Sequence, residues 1–374
     1  MNMRKVRVLI VDDSVVIRRL VSEVLSADPA IEVVGAAANG RIALAKLPQL
    51  NPDLVTLDIE MPEMDGLQTL SAIRKDYPRL PVIMFSTTTQ RGALATLDAL
   101  ALGANDYVTK PANVGGVTAG IERVKDELIP KIKAFCPQVM ATLERLRISH
   151  HGTLRPVLPP VQPAVAPSRR IDIVAIGVST GGPNALVELL PVFPADFPVP
   201  VVIVQHMPPV FTTFLAERLA SRSAIGVHEA ADGVRLQAGE AWIAPGDFHM
   251  VLERNGVETH VRTHRGPMEN SCRPSVDVLF RSVVELYGGG TLGVIMTGMG
   301  QDGLRGCEMT REHAGRVFVQ DEATSVVWGM PGAVVRAGLA DRVIPLGQLG
   351  SEIVRTVTSS RMRSASAPGI VLRR

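Results

Sequence analysis

Short apolar segments alternate with helical patterns along the first third of this chain. This alternation constrains the fold more than any other feature of the sequence. The apolar side chains between Ile17 and Leu25 recur at the spacing of one helical face. Five strand–helix repeats within about 130 residues predict an α/β domain, a (βα)5 unit with a parallel sheet and helices on both faces. The predicted strands are Val6–Val11, Val33–Ala36, Leu54–Leu57, Pro81–Phe85 and Asp106–Val108.

A proline-rich stretch separates this region from a second region of alternating strand and helix patterns. Residues 151–168 contain five prolines, which predict a semi-rigid linker because proline removes backbone donors and favours extended conformations. Beyond it we expect a second, doubly wound α/β domain with a mainly parallel sheet. Its predicted strands are Ile171–Val178, Val199–Val204, Ala241–Ala244 and Leu292–Thr297.

These patterns predict four successive regions. Residues 4–130 form the first domain, and residues 131–170 form the end of its last helix and the linker. Residues 171–358 form the second domain. Residues 359–374 are rich in Ser and Arg, so we expect them to be a disordered tail.

Charge and composition exclude several classes of protein. The net charge is +2, and residues 171–374 carry 18 Arg, 20 acidic residues and no Lys, which disfavours binding of nucleic acid. No apolar run approaches the roughly 18–20 residues that a membrane span needs, and the first run is too short for a signal peptide. The three cysteines argue against a disulfide framework or a zinc site and favour a reducing cytoplasm, since they are few and far apart: Cys136, Cys272 and Cys307.

Polar side chains follow four of the five predicted strands of the first domain. Asp12 and Asp13 follow the first strand, and Asp58 follows the third. Ser86 and Lys110 follow the fourth and fifth, so all of these side chains are expected at one edge of the sheet. Three converging carboxylates repel one another unless a hard cation lies among them, and Mg²⁺ prefers such oxygen ligands. Together with the Lys ammonium and the Ser hydroxyl, this arrangement suits a phosphoryl group.

The second domain begins with a strand that runs directly into a glycine-rich turn at Ser179. A serine at a strand-to-helix junction has an exposed hydroxyl and nearby backbone N–H groups that can hold an oxyanion or a phosphate. The sequence lacks the P-loop and the dinucleotide fingerprint at this point. Because no Lys follows residue 171, the base for a serine nucleophile is expected to be a histidine. His206 follows an apolar strand, and His249 is the second candidate.

An acid that orients the histidine is expected at another strand end. Asp302 follows the segment Leu292–Thr297, while Asp247 and Asp277 remain competing candidates. Ser179, His206 and Asp302 would meet at one sheet edge. Their order along the chain differs from the Ser, Asp, His order of the α/β-hydrolases, so analogy to that fold is unsafe.

The first domain resembles the receiver domain of two-component response regulators. The matching residues are Asp12-Asp13, DIEMPEMDG at 58–66, Ser86, and GANDYVTKP at 103–111, which ends on Lys110-Pro111. The resemblance implies that Asp58 accepts a phosphoryl group from a histidine kinase, with Mg²⁺ held by Asp12, Asp13 and Asp58. It also implies that Ser86 and Lys110 bind the phosphoryl group. Tyr107 would change orientation with Ser86.

The whole chain is similar to the CheB family, chemotaxis protein-glutamate methylesterases in which a receiver domain controls a hydrolase. The resemblance implies that Ser179 is the nucleophile, His206 the general base and Asp302 its partner. Backbone N–H groups of Met299 and Thr180 would form the oxyanion site. The matching motifs are IGVSTGGP at 176–183, QHMPP at 205–209, APGDFHM at 244–250, RPSVDVLF at 273–280, TGMGQDG at 297–303 and TSVVWGMPGAV at 324–334.

The resemblance implies a cytoplasmic enzyme that removes methyl groups from glutamate methyl esters of chemoreceptor cytoplasmic domains and deamidates receptor glutamines. The esterase chemistry would need no cofactor. Two alternatives stay open at this point. A transcriptional response regulator would show salt-dependent DNA binding. A phosphorylation-gated receptor-binding protein with an inactive triad would not react with a serine-directed fluorophosphonate.

Overall fold

The computed structural model describes residues 4–110, 117–136 and 169–365. The chain divides into two compact units, Met1–Pro159 and Pro160–Arg374. The predicted proline-rich linker and Pro111 lie outside the described residues, and the exact domain boundaries stay predictions. No helix within the described ranges is long and apolar enough to cross a membrane.

The first unit contains one parallel sheet of five strands in the order β2-β1-β3-β4-β5. This order and the alternation of strands and helices confirm the predicted (βα)5 arrangement. The strands are β1 (Val6–Val11), β2 (Ile31–Ala37), β3 (Leu54–Asp58), β4 (Val82–Ser86) and β5 (Asp106–Thr109). The helices are α1 (Val15–Ser26), α2 (Gly40–Leu50), α3 (Gly66–Asp76), α4 (Gln90–Ala101) and α5 (Val117–Phe135).

Polar caps and buried strands explain why these elements form. Strands β3 and β4 are buried along their whole length, as expected where helices cover both faces of a parallel sheet. Each of the first four helices starts after a residue whose side-chain oxygen accepts a hydrogen bond from a first-turn N–H group. These capping residues are Ser14, Asn39, Asp65 and Thr89.

The second unit contains a seven-stranded sheet in the order β14-β13-β12-β6-β7-β9-β8, in which every pair is parallel. This confirms the predicted doubly wound domain. The strands are β6 (Ile173–Val178), β7 (Val201–Gln205), β8 (Gly226–Glu229), β9 (Glu240–Ile243), β10 (His249–Asn255), β11 (Glu258–His264), β12 (Thr291–Ile295), β13 (Arg316–Gln320) and β14 (Arg342–Ile344). The helices are α6 (Gly182–Leu189), α7 (Phe211–Ala220), α8 (Val276–Tyr287), α9 (Leu304–Glu312), α10 (Met330–Arg336) and α11 (Leu346–Ala365).

Five of these strands were not among the predicted ones. Strands β10 and β11 form a separate antiparallel hairpin in which the C-terminal half of each strand is largely exposed, so its sequence is polar. The edge strands β8 and β14 have only four and three residues, and β13 lies next to β14 near one edge of the sheet. Short or half-exposed strands give a weak periodic signal, which accounts for β8, β10, β11 and β14. Strand β13 is buried over four of its five residues, and this reason does not apply to it.

Phe280 fixes the position of helix α8 against the sheet. A Cβ atom at Gly293 of β12 would lie 2.9 Å from the Phe280 ring, and one at Gly306 of α9 would lie 2.5 Å from the Phe280 Cβ. The two glycines therefore let α8 approach closely. This contact places the first turn of α8 beside the loop that follows β12, where the candidate acid lies.

The expectation of a disordered tail from residue 359 is wrong for its first part. Helix α11 continues to Ala365, because Leu349, Ile353 and Val357 form a buried stripe along it. The Ser360 hydroxyl oxygen is buried and accepts a hydrogen bond from the Ile171 N–H at 3.0 Å. Residues 366–374 lie outside the described residues.

Replacing Ser360 with Ala tests the hydrogen bond between its hydroxyl oxygen and the Ile171 N–H. The buried Ile171 N–H loses its acceptor, which costs about 1–3 kcal/mol in the free energy of unfolding. Urea unfolding followed by the fluorescence of Trp242 and Trp328 measures the change in the second unit. The control is Ser359→Ala, the same change on the half-exposed side of the helix. Equal free energies of unfolding for the two variants would show that the hydrogen bond to Ser360 does not stabilise the second unit.

Candidate active site and phosphoacceptor site

Lys110 joins two buried carboxylates at the carboxyl edge of the first sheet. Its Nζ lies 2.7 Å from Asp58 Oδ2 and 3.0 Å from Asp12 Oδ2. Asp12 and Asp58 are both 2% exposed, and the Lys110 side chain is 17% exposed. The structure thus brings together Asp12, Asp58 and Lys110, three of the residues predicted at the strand ends.

The same edge offers a set of oxygen ligands for a metal ion. Carboxylate oxygens of Asp12, Asp13 and Asp58 lie within 4.8 Å of one another. The Oδ2 atoms of Asp12 and Asp58 are buried and accept no hydrogen bond from the described residues beyond their ion pair with Lys110. Buried carboxylate oxygens with spare lone pairs, beside an exposed third carboxylate, fit the ligand preference of Mg²⁺.

Burial controls the protonation of these groups. Burial, followed by the charge of Asp12, raises the pKa of Asp58 to about 6. Burial also raises the pKa of Asp12, against the opposing charge of Lys110. Burial acts to lower the pKa of Lys110, but its bonds to Asp58 and Asp12 outweigh this and raise it. Lys110 therefore stays charged, and a further cation would favour the ionised form of Asp58.

Ser86 and Tyr107 lie near this edge, but their contacts are with other groups. The Ser86 hydroxyl is buried, 2.7 Å from the Thr96 hydroxyl and 3.0 Å from the Gly92 carbonyl oxygen of α4. Tyr107 is buried, and Lys131 Nζ lies 5.3 Å from the centre of its ring. The described conformation therefore holds the Ser86 hydroxyl against α4.

Gly66 permits the close packing that shapes the turn after Asp58. A Cβ atom at this position would lie 2.2 Å from the Asp58 carbonyl oxygen and 2.7 Å from the Ile59 Cα. The Gly66 N–H also donates to the Ile59 carbonyl oxygen at 2.8 Å. Both close neighbours are backbone atoms, so they cannot move aside without moving Asp58.

In the second unit, Ser179 lies where β6 ends, beside its neighbour β12. Its N–H donates to the Thr297 carbonyl oxygen at 3.0 Å, and its carbonyl oxygen accepts from Gly182 N–H at 2.8 Å and from Gln205 Nε2 at 3.0 Å. A Cβ atom at Gly298 would lie 2.8 Å from the Ser179 Cβ. These contacts fix the backbone of Ser179 while its side chain stays half-buried.

His206 and Asp302 form a direct hydrogen bond at the same edge. His206 Nε2 lies 2.9 Å from Asp302 Oδ2. The three residues follow β6, β7 and β12, which are adjacent in the order β12-β6-β7. The carboxyl ends of adjacent parallel strands lie at the same edge of a sheet. Ser179, His206 and Asp302 therefore lie close together at that edge.

The other candidate acids and the other candidate histidine have different partners. Asp247 pairs with Arg273 and Arg265, and Asp277 accepts from Asn270 and from the N–H of Gly306. His249 is buried, and its ring nitrogens contact the Pro267 carbonyl oxygen and the N–H of Ser275. Among the candidates, Asp302 is the acid bonded to His206.

Asp302 is 3% exposed and receives an unusual number of hydrogen bonds for one carboxylate. Burial acts to raise its pKa, but the hydrogen bond and charge of His206, with bonds from backbone N–H groups, lower it to about 2. Its other donors are Asn270 Nδ2, the Ser275 hydroxyl and the N–H groups of Val276, Asp277 and Gly303. Neither motif nor spacing indicated Asn270 or Ser275 as residues of this site.

The carboxylate also determines which nitrogen of His206 is basic. Because ionised Asp302 can only accept, Nε2 carries the proton of the hydrogen bond, and in the neutral ring Nδ1 keeps the lone pair. Burial acts to lower the pKa of His206, but the hydrogen bond to Asp302 outweighs it and raises the pKa. Nδ1 lies 3.6 Å from the Cys272 Sγ, a neighbour that sequence spacing did not indicate.

Two further features concern the reacting groups. Within the described residues, the Ser179 hydroxyl makes no hydrogen bond to His206, so that link of the expected triad is open in this conformation. The N–H groups of Thr180 and Met299 donate to no described group. Thr180 is buried and Met299 half-buried, so both N–H groups are available for an oxyanion.

The fold and the two sites define a receiver domain joined to a serine-hydrolase-like domain. Family models agree: the response regulator receiver domain matches residues 8–122, and CheB methylesterase matches residues 174–353. A Trichodesmium erythraeum protein named protein-glutamate methylesterase/protein-glutamine glutaminase is 57% identical over 358 residues, covering 95% of this chain and 100% of that protein. A Nocardioides sp. protein of the same name is 52% identical over 361 residues, covering 95% and 96%. The chain belongs to the CheB methylesterase family.

Replacing Gly66 with Ala tests the close packing behind Asp58. We expect the added methyl group to destabilise β3 by about 1–3 kcal/mol, because it meets backbone atoms. Hydrogen–deuterium exchange of peptides from Leu54–Asp58 measures this as faster exchange. The control is Gly35→Ala, whose nearest neighbour is the flexible end of the Leu50 side chain at 2.6 Å. Unchanged exchange in Gly66→Ala would contradict the packing argument.

Proposed function

We propose that this protein is a phosphorylation-activated serine hydrolase of the cytoplasm that removes methyl groups from glutamate methyl esters of chemoreceptor cytoplasmic domains. It also deamidates receptor glutamines by the same acyl chemistry. The observation that carries this proposal is the 2.9 Å bond between His206 and Asp302 beside Ser179. The names of its relatives supply the substrate class.

Ser179 attacks the ester carbonyl carbon while His206 Nδ1 accepts the hydroxyl proton. The open link between Ser179 and His206 closes by rotation of the serine side chain when substrate binds, since hydrogen bonds of this kind tighten in the complex. The N–H groups of Thr180 and Met299 receive the oxyanion. Methanol takes the proton from His206 and leaves, or ammonia leaves from a glutamine.

Water then attacks the acyl-enzyme, and His206 again accepts the proton. The products are a free glutamate and the Ser179 hydroxyl. Asp302 holds the imidazole in the tautomer with its proton on Nε2 and stabilises the imidazolium that forms. Its five other hydrogen bonds keep the carboxylate ionised and prevent its rotation.

In the receiver domain, Asp58 accepts the phosphoryl group from the phosphohistidine of a histidine kinase. Asp12, Asp13 and Asp58 would hold Mg²⁺, which would supply positive charge against the phosphoryl oxygens. Lys110 exchanges its bond with the Asp58 carboxylate for one with a phosphoryl oxygen. The Ser86 hydroxyl leaves Thr96 and Gly92 to bind another phosphoryl oxygen, and this change signals phosphorylation to α4.

One observation favours a second candidate function. The open link between Ser179 and His206 also suits a receptor-binding protein whose triad is inactive. A serine-directed fluorophosphonate separates the two functions, because only an activated Ser179 forms the adduct. Absence of DNA binding at low salt would remove the third possibility, a transcriptional regulator.

Substitutions within the triad test the mechanism. We expect Ser179→Ala and His206→Ala each to lower kcat by about 10⁶-fold and Asp302→Asn by about 10⁴-fold, because the orienting acid is the least costly member to lose. Methanol release from methylated receptor measures the rates, and circular dichroism checks the fold. The exposed His264→Ala is the control. Normal methanol release by Ser179→Ala would refute the assignment of the nucleophile.

Replacing Asp58 with Asn tests the receiver. We expect no phosphoryl uptake from acetyl phosphate and an esterase activity that stays low with or without this donor, because the amide cannot act as acceptor. Radiolabel incorporation and methanol release are the two measurements. Asp76→Asn, an exposed carboxylate on α3, is the control and should behave as the unaltered protein. Acid-labile label retained by Asp58→Asn would move the phosphorylation site to another carboxylate.

A further inference from the structure

Cys272 lies against the catalytic histidine, and the mechanism above does not use it. Its Sγ is 3.6 Å from His206 Nδ1, the nitrogen that carries the lone pair. The side chain is half-buried, whereas Cys136 and Cys307 are buried. Two hydrogen bonds between the backbones of Cys272 and Glu269, at 2.9 and 3.2 Å, hold the loop that presents it.

The separation of these two atoms suits a tetrahedral metal ion. Zn²⁺ binds thiolate sulfur at about 2.3 Å and imidazole nitrogen at about 2.0–2.1 Å, which puts two such ligands about 3.5 Å apart at a tetrahedral angle. The observed distance between Cys272 Sγ and His206 Nδ1 is 3.6 Å. Sulfur and nitrogen ligands favour zinc over the hard cation expected at Asp12, Asp13 and Asp58.

Asp302 completes the arrangement from the far side of the imidazole ring. His206, Cys272 and Asp302 offer ligand atoms within 4.8 Å of one another. However, Asp302 would lose hydrogen bonds if it bound a metal directly, because both of its oxygens already accept several. Its bond to Nε2 instead resembles the carboxylate–histidine pair that orients imidazole ligands in zinc sites.

We propose that His206 Nδ1 and Cys272 Sγ form a binding site for Zn²⁺ and that bound Zn²⁺ switches off the esterase. Binding replaces the thiol proton with the metal, so one proton is released for each ion bound. Water fills the other ligand positions, since both side chains are half-buried. The inhibitory consequence rests on the proposed function, because the ion occupies the lone pair that would accept the Ser179 proton.

Cobalt binding tests the site without measuring activity. The reduced full-length protein, in excess Mg²⁺ to occupy the receiver carboxylates, is titrated with Co²⁺. We expect a thiolate-to-cobalt charge-transfer band that is lost in both Cys272→Ser and His206→Gln. Cys136→Ala removes a buried thiol elsewhere and should keep the band. No band in the unaltered protein, or a band that persists in Cys272→Ser, would overturn the proposal.

Zinc inhibition tests the consequence. We expect Zn²⁺ to stop methanol release by the unaltered protein, and Cys272→Ser to need at least about tenfold more Zn²⁺ for half-inhibition of its own zinc-free rate. Cys136→Ala should be as sensitive as the unaltered protein. Equal sensitivity of Cys272→Ser would overturn the inhibitory role. If the unaltered protein released no methanol at all, the proposed function would fail while the cobalt band still decided the metal site.

Discussion

The buried carboxylate of Asp302 is the interaction on which the geometry of the second unit depends. An isolated charge in such a place would be costly, and six hydrogen bonds offset that cost. The donors come from the loop after β12, from the segment before α8 and the first turn of α8, and from His206. The carboxylate therefore satisfies N–H groups that the start of a helix leaves unpaired, and it also orients the ring. One group both stabilises the loop packing and orients the imidazole of His206.

In the receiver domain, the Lys110 ammonium group offsets the cost of the buried carboxylates. Asp12 and Asp58 share Lys110, which acts to lower the pKa of Asp58, but burial and the charge of Asp12 outweigh it and raise that pKa, whereas the pKa of Asp302 is lowered. The difference arises because Asp302 has the hydrogen bond and charge of His206 and several backbone N–H donors, whereas Asp58 lies beside the like charge of Asp12. A carboxylate left with an unsatisfied oxygen can bind a metal and accept a phosphoryl group, whereas Asp302 is fully engaged and can only orient its neighbour.

The sequence predicted both sites because each is built at the ends of long, buried, parallel strands. Ser179, His206 and Asp302 follow three such strands, and periodicity detects these strands well. Periodicity could not find the hairpin β10–β11 or the helical end near Ser360, since both depend on tertiary contacts. Cys272 was missed for the same reason: 66 residues separate it from His206, and only the loop before α8 brings them together. The spacing of the cysteines relative to one another, which disfavoured a zinc site, carries no information on a cysteine–histidine pair.

The tautomer of His206 links these observations. With Nε2 committed to Asp302, Nδ1 is the single basic position of the ring, and the Ser179 proton, the Cys272 thiol and a metal ion would all compete for it. In the described conformation the thiol is its neighbour and the serine is not bonded to it. In the proposed mechanism, the Ser179 hydroxyl must therefore replace the Cys272 thiol as the neighbour of this nitrogen when substrate binds. The residue at position 272 would then set how readily the base is available, although it takes no part in the bonds that are made or broken.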